Sequence, residues 1–164
     1  MMSLNNKSLV NITKIAIVAA LYVVLTVIVS PLSYAGIQLR FSEGLDHLVV
    51  FNKRYVWALT IGCFIANLFS PMGIIDIIFG TLETFLAAGI TYLLSKISSS
   101  IFIKLLISIL INTLMMWIIA LELHLYNNLP FWPTYGTVAL GEFISLTIGA
   151  VIIYTLNKYI DLKK

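Results

Sequence analysis

The chain has 164 residues, of which 60% are hydrophobic and 10% charged, with a formal charge of +3 and a mean hydropathy of +1.02. A soluble globular domain carries about 25% charged residues, so a soluble enzyme and a nucleic-acid-binding domain are excluded. A small, single-domain (1–164), all-α integral membrane protein is expected. Its one cysteine, Cys63, lies in an apolar run, has no internal disulfide partner, and reads as a small buried hydrophobe.

In chain order, the first apolar run covers about residues 12–30. It is too long for the core of a cleavable signal and no small-residue cleavage site follows it, so it reads as a span. Further long segments at about 55–69, 74–95, 101–122 and 137–157 are long enough, or nearly so, to cross roughly 30 Å of hydrocarbon. Pro31, Pro71, Pro130 and Pro133 fall between these segments, where helices end. The stretch 42–52 is apolar but short, and it carries Glu43, Asp46 and His47.

The basic residues decide whether this stretch crosses. Six spans with both termini in the cytoplasm place nine of the ten Lys and Arg residues (Lys7, Lys14, Lys53, Arg54, Lys96, Lys104, Lys158, Lys163 and Lys164) inside and only Arg40 outside. Five spans give eight against two and leave Lys7 and Lys14 outside. Basic residues favour the cytoplasmic side, so the expected architecture is six transmembrane helices, the second one short, in a multi-pass plasma-membrane protein. A span so short must be buried among its neighbours.

This topology sorts the acids to the other side. Glu43 opens the second span and Asp76 the fourth, both at the outer face. Glu122 closes the fifth there, Glu142 lies in the outer half of the sixth, and Asp46 and Glu83 sit one to two turns deeper. A carboxylate within the hydrocarbon costs about 3 kcal/mol or more, and acids contribute little to topology, so the placement needs another cause. Asp76 and Glu83 lie about 10 Å apart on one helix face that continues through Gly80 and Ala87. Glu142, Ser145 and Gly149 share a face of the last span by the same spacing rule, and Asn112 is midway along the fifth. Such faces belong inside a bundle or against a cavity, and an outward-opening, acid-lined pocket is expected.

Each feature also has a plainer reading. Asp76 follows Pro71 and Gly73 and suits a helix N-terminus stabilised by the dipole. Glu83 is too deep for a cap and would otherwise partner a buried amide or hydroxyl. Glu122 suits the headgroup zone. His124 reads as interfacial, and no second His or Cys has ligand spacing, so no metal or other cofactor is expected. Tyr126, Phe131, Trp132 and Tyr135 read as an aromatic belt, with room for one of them to cap a ligand. Trp57 and Trp117 read as packing or lipid-facing. Ala16 and Ala20 form a small-xxx-small pair that either packs the bundle or docks another membrane subunit. Catalytic and phosphate-binding motifs are absent from the sequence, so a pump of this size must borrow its energy from elsewhere.

The segments IQLRFSE (37–43), IGCFIANLFSPMGIIDIIFGTLETFLAA (61–88), LEL (121–123) and VALGEFI (138–144) strongly resemble the QueT family, in the same order along the chain. The resemblance implies the S component of an energy-coupling-factor (ECF) transporter, a six-helix membrane protein that binds a vitamin-like solute. A separate transmembrane coupling subunit and two ATPases would supply energy. The solute implied is a queuosine precursor, a 7-deazaguanine such as the 7-aminomethyl base or queuine. By the same resemblance Ala16 and Ala20 meet the coupling subunit, and the loop 31–40 covers the ligand.

A deazaguanine edge presents N–H donors at N1 and the 2-amino group, which one carboxylate accepts together, and an aromatic ring can stack on the base. Arg40 and Asn67 suit its O6 acceptor. The candidate ligand-binding set is Gln38, Arg40, Glu43, Asn67, Asp76, Glu83, Asn112, Glu122 and Glu142. Asp46, His47, Glu83 and the run Leu114–Met115–Met116–Trp117 depart from the family pattern, and the extra acids favour a more cationic ligand. Two alternatives stand beside this reading: an S component for another small cationic heterocycle, and a self-sufficient proton-coupled carrier with Glu83 as relay.

Overall fold

A computed structural model of the chain describes residues 6–29 and 40–163. Every regular element among them is helical: α1 (Asn6–Ile28), a 3-10 helix (Phe41–Val50), α2 (Arg54–Asn67), α3 (Ile74–Leu94), a single 3-10 turn (Ser95–Ile97), α4 (Ile101–Met115), α5 (Trp117–Asn127) and α6 (Phe131–Leu156). Four stretches, Ser8–Ile28, Ile74–Ile97, Ile101–Asn127 and Phe131–Leu156, are long and apolar enough to cross a membrane. Their outer surfaces expose Ile28, Ile74, Phe102, Leu110 and Val151, while acids, amides and hydroxyls lie inside. That inversion of the soluble pattern suits a lipid surround, and the protein is an all-α integral membrane protein.

The short second segment is buried, as its charges require: eight of its ten residues are inside the bundle. It is a 3-10 helix, and this is what makes so short a segment reach. At a rise of about 2 Å per residue, ten residues cover about 20 Å, against about 15 Å for an α-helix of equal length. Long 3-10 runs are uncommon, and here each of the three eclipsed i, i+3 rows has its own anchor. On the first row, the Ser42 and Thr26 hydroxyls hydrogen-bond at 2.7 Å. On the second, Glu43 accepts from the Tyr22 hydroxyl at 2.7 Å. On the third, the fully buried His47 donates through Nε2 to the Leu146 carbonyl at 2.8 Å. Also on this third row, Gly44 lies against Gly149 of α6. A Cβ on Gly44 would stand 3.0 Å from the Gly149 Cα, and a Cβ on Gly149 would overlap the Gly44 Cα. His47 is thus a structural pin between the 3-10 helix and α6.

The remaining boundaries follow local chemistry. Gly73 precedes α3 with φ +66° and ψ −133°, a conformation open essentially to glycine, and it sets Asp76 at the third position of the helix. The fifth segment is interrupted at Met116, and the bond from the Ala120 N–H to the Met116 carbonyl at 2.9 Å carries the helix across the break. It then runs on to Asn127, past the expected end near 122, and closes on Asn128 in the left-handed region at φ 55°, which asparagine tolerates better than most residues. α6 begins at Phe131, six residues ahead of the expected 137. Pro133 falls in its first turn, where no N–H needs an intrahelical acceptor.

The 3-10 helix contacts every membrane-crossing neighbour: α1, α2, α3, α4 and α6. At the end of the bundle opposite the acids, Arg54 donates to Asn11 Oδ1 at 2.8 Å and to the Lys163 carbonyl at 3.3 Å. This ties the start of α1, the start of α2 and the C-terminal segment together.

Candidate functional site

Six of the seven acids of the chain, namely Glu43, Asp46, Asp76, Glu83, Glu122 and Glu142, are inside the bundle, and none is more than 5% exposed. The seventh, Asp161, lies exposed beyond α6. Arg40, also buried, stands among the acids at the entry to the 3-10 helix. Its Nη1 is 3.8 Å from Glu43 Oε1 and its Nη2 is 3.9 Å from Asp76 Oδ2. It therefore bridges the 3-10 helix to the start of α3. Glu122 of α5 lies beside Asp76. Carboxylate oxygens of Glu43, Asp46 and Glu142 lie within 4.8 Å of one another. Glu83 lies within electrostatic reach of Glu43, and its own bond is a long one from the Thr84 hydroxyl at 3.4 Å.

The local folding that assembles this group is visible in two places. The 3-10 rise puts Glu43 and Asp46 one above the other on a single row. The glycine contact between Gly44 and Gly149 lets α6 come close enough to bring Glu142 to that row. Asn67, at the end of α2, donates from Nδ2 to the Asp76 carbonyl at 3.0 Å. Its amide fills the space over Gly80, where a Cβ would overlap it.

Acceptors outnumber donors. Asp46 Oδ1, Asn67 Oδ1, Glu83 Oε1, both oxygens of Glu122 and Glu142 Oε1 are buried with no hydrogen-bond partner among the described residues. An unmatched buried polar atom costs about 1–3 kcal/mol, and more when charged. The complement of such a lining is a cation or a molecule rich in N–H groups.

A family model described as "QueT transporter" matches residues 12–158. The chain belongs to the QueT transporter family. A relative from Lactococcus lactis subsp. cremoris (strain MG1363), named Queuosine precursor transporter QueT, is 42% identical over 164 residues, covering 94% of this chain and 96% of its own. No solved structure matches the chain. Family and relative are transporters, not enzymes, and this QueT member is a transport protein.

Of the residues expected at the site, Arg40, Glu43, Asn67, Asp76, Glu83, Glu122 and Glu142 come together. Gln38, and all of the expected covering loop except Arg40, lie outside the described residues. Asn112 is buried but on a deeper level. Its Nδ2 donates to the Ser108 carbonyl at 2.8 Å and contacts the Thr91 hydroxyl at 3.5 Å. Thr91 lies eight residues, about 12 Å along the helix axis, beyond Glu83.

Sequence reasoning left two members out. Asp46 was placed among the outer-half acids and noted as a departure from the family pattern but left out of the binding set, though its i, i+3 spacing from Glu43 was the signal. Tyr22 drew no notice because a tyrosine in an apolar helix reads as packing. Its spacing from Ala19 and Thr26, the other fully buried positions of α1, marks it as part of the inner face.

Two grooves lined by described residues lie toward the other end of the bundle. One of about 450 Å³ is lined by Phe102, Leu105, Ile109 and Tyr154, and one of about 360 Å³ by Trp57, Phe85 and Leu93. Both are apolar and face the lipid. At the acid end, His124 Nδ1 donates to the Leu129 carbonyl at 2.7 Å. Phe131 stacks on Tyr135 there, and Trp132 meets Phe131 edge-on. Ala16 and Ala20 are exposed, on a face of α1 turned about 100° from that of Ala19, Tyr22 and Thr26.

Proposed function

We propose that this chain is the solute-binding S component of an ECF-type importer and that its solute is a queuosine precursor of the 7-deazaguanine kind, such as the 7-aminomethyl base or queuine. The observation that carries the reading is the buried surplus of acceptor oxygens around Arg40. A carboxylate takes the N1–H and 2-amino donors of the base together. The Arg40 guanidinium supplies a donor for O6, and further acids neutralise an aminomethyl cation. The name of the Lactococcus lactis relative supports the same solute class.

The acids gather at one end, and the start of α2 and the C-terminal segment, both rich in Lys and Arg, gather at the other. This supports an orientation with both termini in the cytoplasm and the solute site opening outward. The seven longer helical segments then make six crossings of the plasma membrane, α4 and α5 counting as one. The exposed Ala16 and Ala20 on α1 support docking to a coupling subunit, because close approach of helix backbones needs small side chains. Two ATPase subunits behind that partner would supply the energy.

Purification of the tagged protein from its native membrane in mild detergent tests this partnership. A transmembrane coupling subunit and two ATPases should co-elute with it, and uptake should stop when ATP is depleted. Elution alone, with uptake that survives ATP depletion and follows a proton gradient, would point to a self-sufficient carrier and overturn the proposal.

A further inference from the structure

We propose that Glu43, Asp46 and Glu142 hold a divalent metal cation of the Ca2+ type beside the solute. Three oxygens, one from each residue, lie within 4.8 Å of one another. Oxygens bound to Ca2+ sit at 2.3–2.6 Å, so any two of its ligands are at most about 5 Å apart. Mg2+ usually keeps several of its own waters and is bound by one or two carboxylates, so a trio of carboxylates suits Ca2+ better. The three oxygens therefore fit one Ca2+ shell without rearrangement of the helices that carry them.

A second observation points to a ligand independently of that spacing. Asp46 Oδ1 and Glu142 Oε1 are buried with no hydrogen-bond partner among the described residues. An acid cluster that served only to join helices would have these oxygens paired. Of the three proposed ligands, only Glu43 has a base within ion-pair distance among the described residues, and that base, Arg40, also serves Asp76. Three carboxylates sharing so small a space must either hold protons or be compensated by positive charge, and a hard divalent ion bound by oxygen supplies that charge.

The framework is built for fixed geometry. Glu43 and Asp46 share one 3-10 row, and the Tyr22 hydroxyl orients Glu43 at 2.7 Å. The Gly44–Gly149 contact and the His47 bond to the Leu146 carbonyl at 2.8 Å hold α6, and with it Glu142, in register. Hydrogen-bonded support of this sort orients ligating carboxylates in metal sites.

The test uses the purified full chain in detergent, stripped with a chelator and free of solute. Ca2+, added at constant ionic strength, should raise the melting temperature saturably. Tb3+ should bind with luminescence sensitised through Tyr22 and be displaced by Ca2+. Asp46→Asn and Glu142→Gln should each raise the half-saturating Ca2+ concentration at least tenfold, and Asp161→Asn should leave it unchanged. If one variant fails to fold, the other and the wild-type Tb3+ titration still decide.

Absence of a saturable Ca2+ or Tb3+ response, or a response equally strong in both variants, would overturn the site. Displacement of Ca2+ by 7-aminomethyl-7-deazaguanine would overturn it too, since the trio would then be the ammonium seat of the solute. The Ca2+ response does not depend on which solute is carried, so failure of every base to bind would count against the proposed function alone.

Discussion

Asp76→Asn and Glu83→Gln should each lower affinity for a 7-deazaguanine more than tenfold. The amide keeps the size of the acid but turns one acceptor into a donor that faces the donors of the base. A buried mismatch of this kind costs about 1–3 kcal/mol, more for a charged group, and about 1.4 kcal/mol is a factor of ten. The two variants should differ in stability. Asp76 pairs with Arg40 at 3.9 Å, so Asp76→Asn removes part of the charge balance of a buried guanidinium and should lower the melting temperature. Glu83 has one long bond, from Thr84 at 3.4 Å, so Glu83→Gln should melt close to the parent. Titration with a deazaguanine series beside thermal melting separates the effects. Full affinity for every base in both variants, with a fall in melting temperature, would make the two acids structural.

The second large effect is expected far from the acids. Ala16→Leu and Ala20→Leu combined should abolish uptake while solute binding to the isolated chain stays within twofold. Both positions are exposed, on a face turned about 100° from the buried row of Ala19, Tyr22 and Thr26. Longer side chains at exposed positions should leave folding and the acid lining largely unchanged. What they block is backbone contact with a coupling helix, which tolerates only small residues. Uptake in vesicles against binding in detergent makes the comparison. An equal fall in both would mean that the pair supports the bundle itself.

Much of this was legible because of what hydrocarbon forbids. An acid in an apolar helix is costly wherever it faces lipid, so Glu43, Asp76, Glu83, Glu122 and Glu142 each announced an inward face. Their burial bears this out. The bounds of α3 were legible to within a residue, since Pro71 and Gly73 punctuate its start. The 3-10 character of Phe41–Val50 was not, because ten residues give too few turns to tell a period of 3.0 from 3.6. The break at Met116 has no Pro or Gly to mark it, and the run Leu114–Trp117 reads as uninterrupted helix. The early start of α6 was hidden by Pro133, which signals a boundary in sequence but sits comfortably in a first turn. The level of Asn112 depends on how α3 and α4 pair across their turn, which side-chain patterns alone do not set.

The central claim is that the buried acids around Arg40 receive a 7-deazaguanine. Its most direct test is calorimetric titration of the purified chain with 7-aminomethyl-7-deazaguanine, with guanine and thiamine as comparison ligands. Saturable one-to-one binding of the deazaguanine, at least tenfold tighter than either comparison ligand, is the predicted result. Tighter binding of thiamine, or no binding of any deazaguanine to a folded preparation, would contradict it.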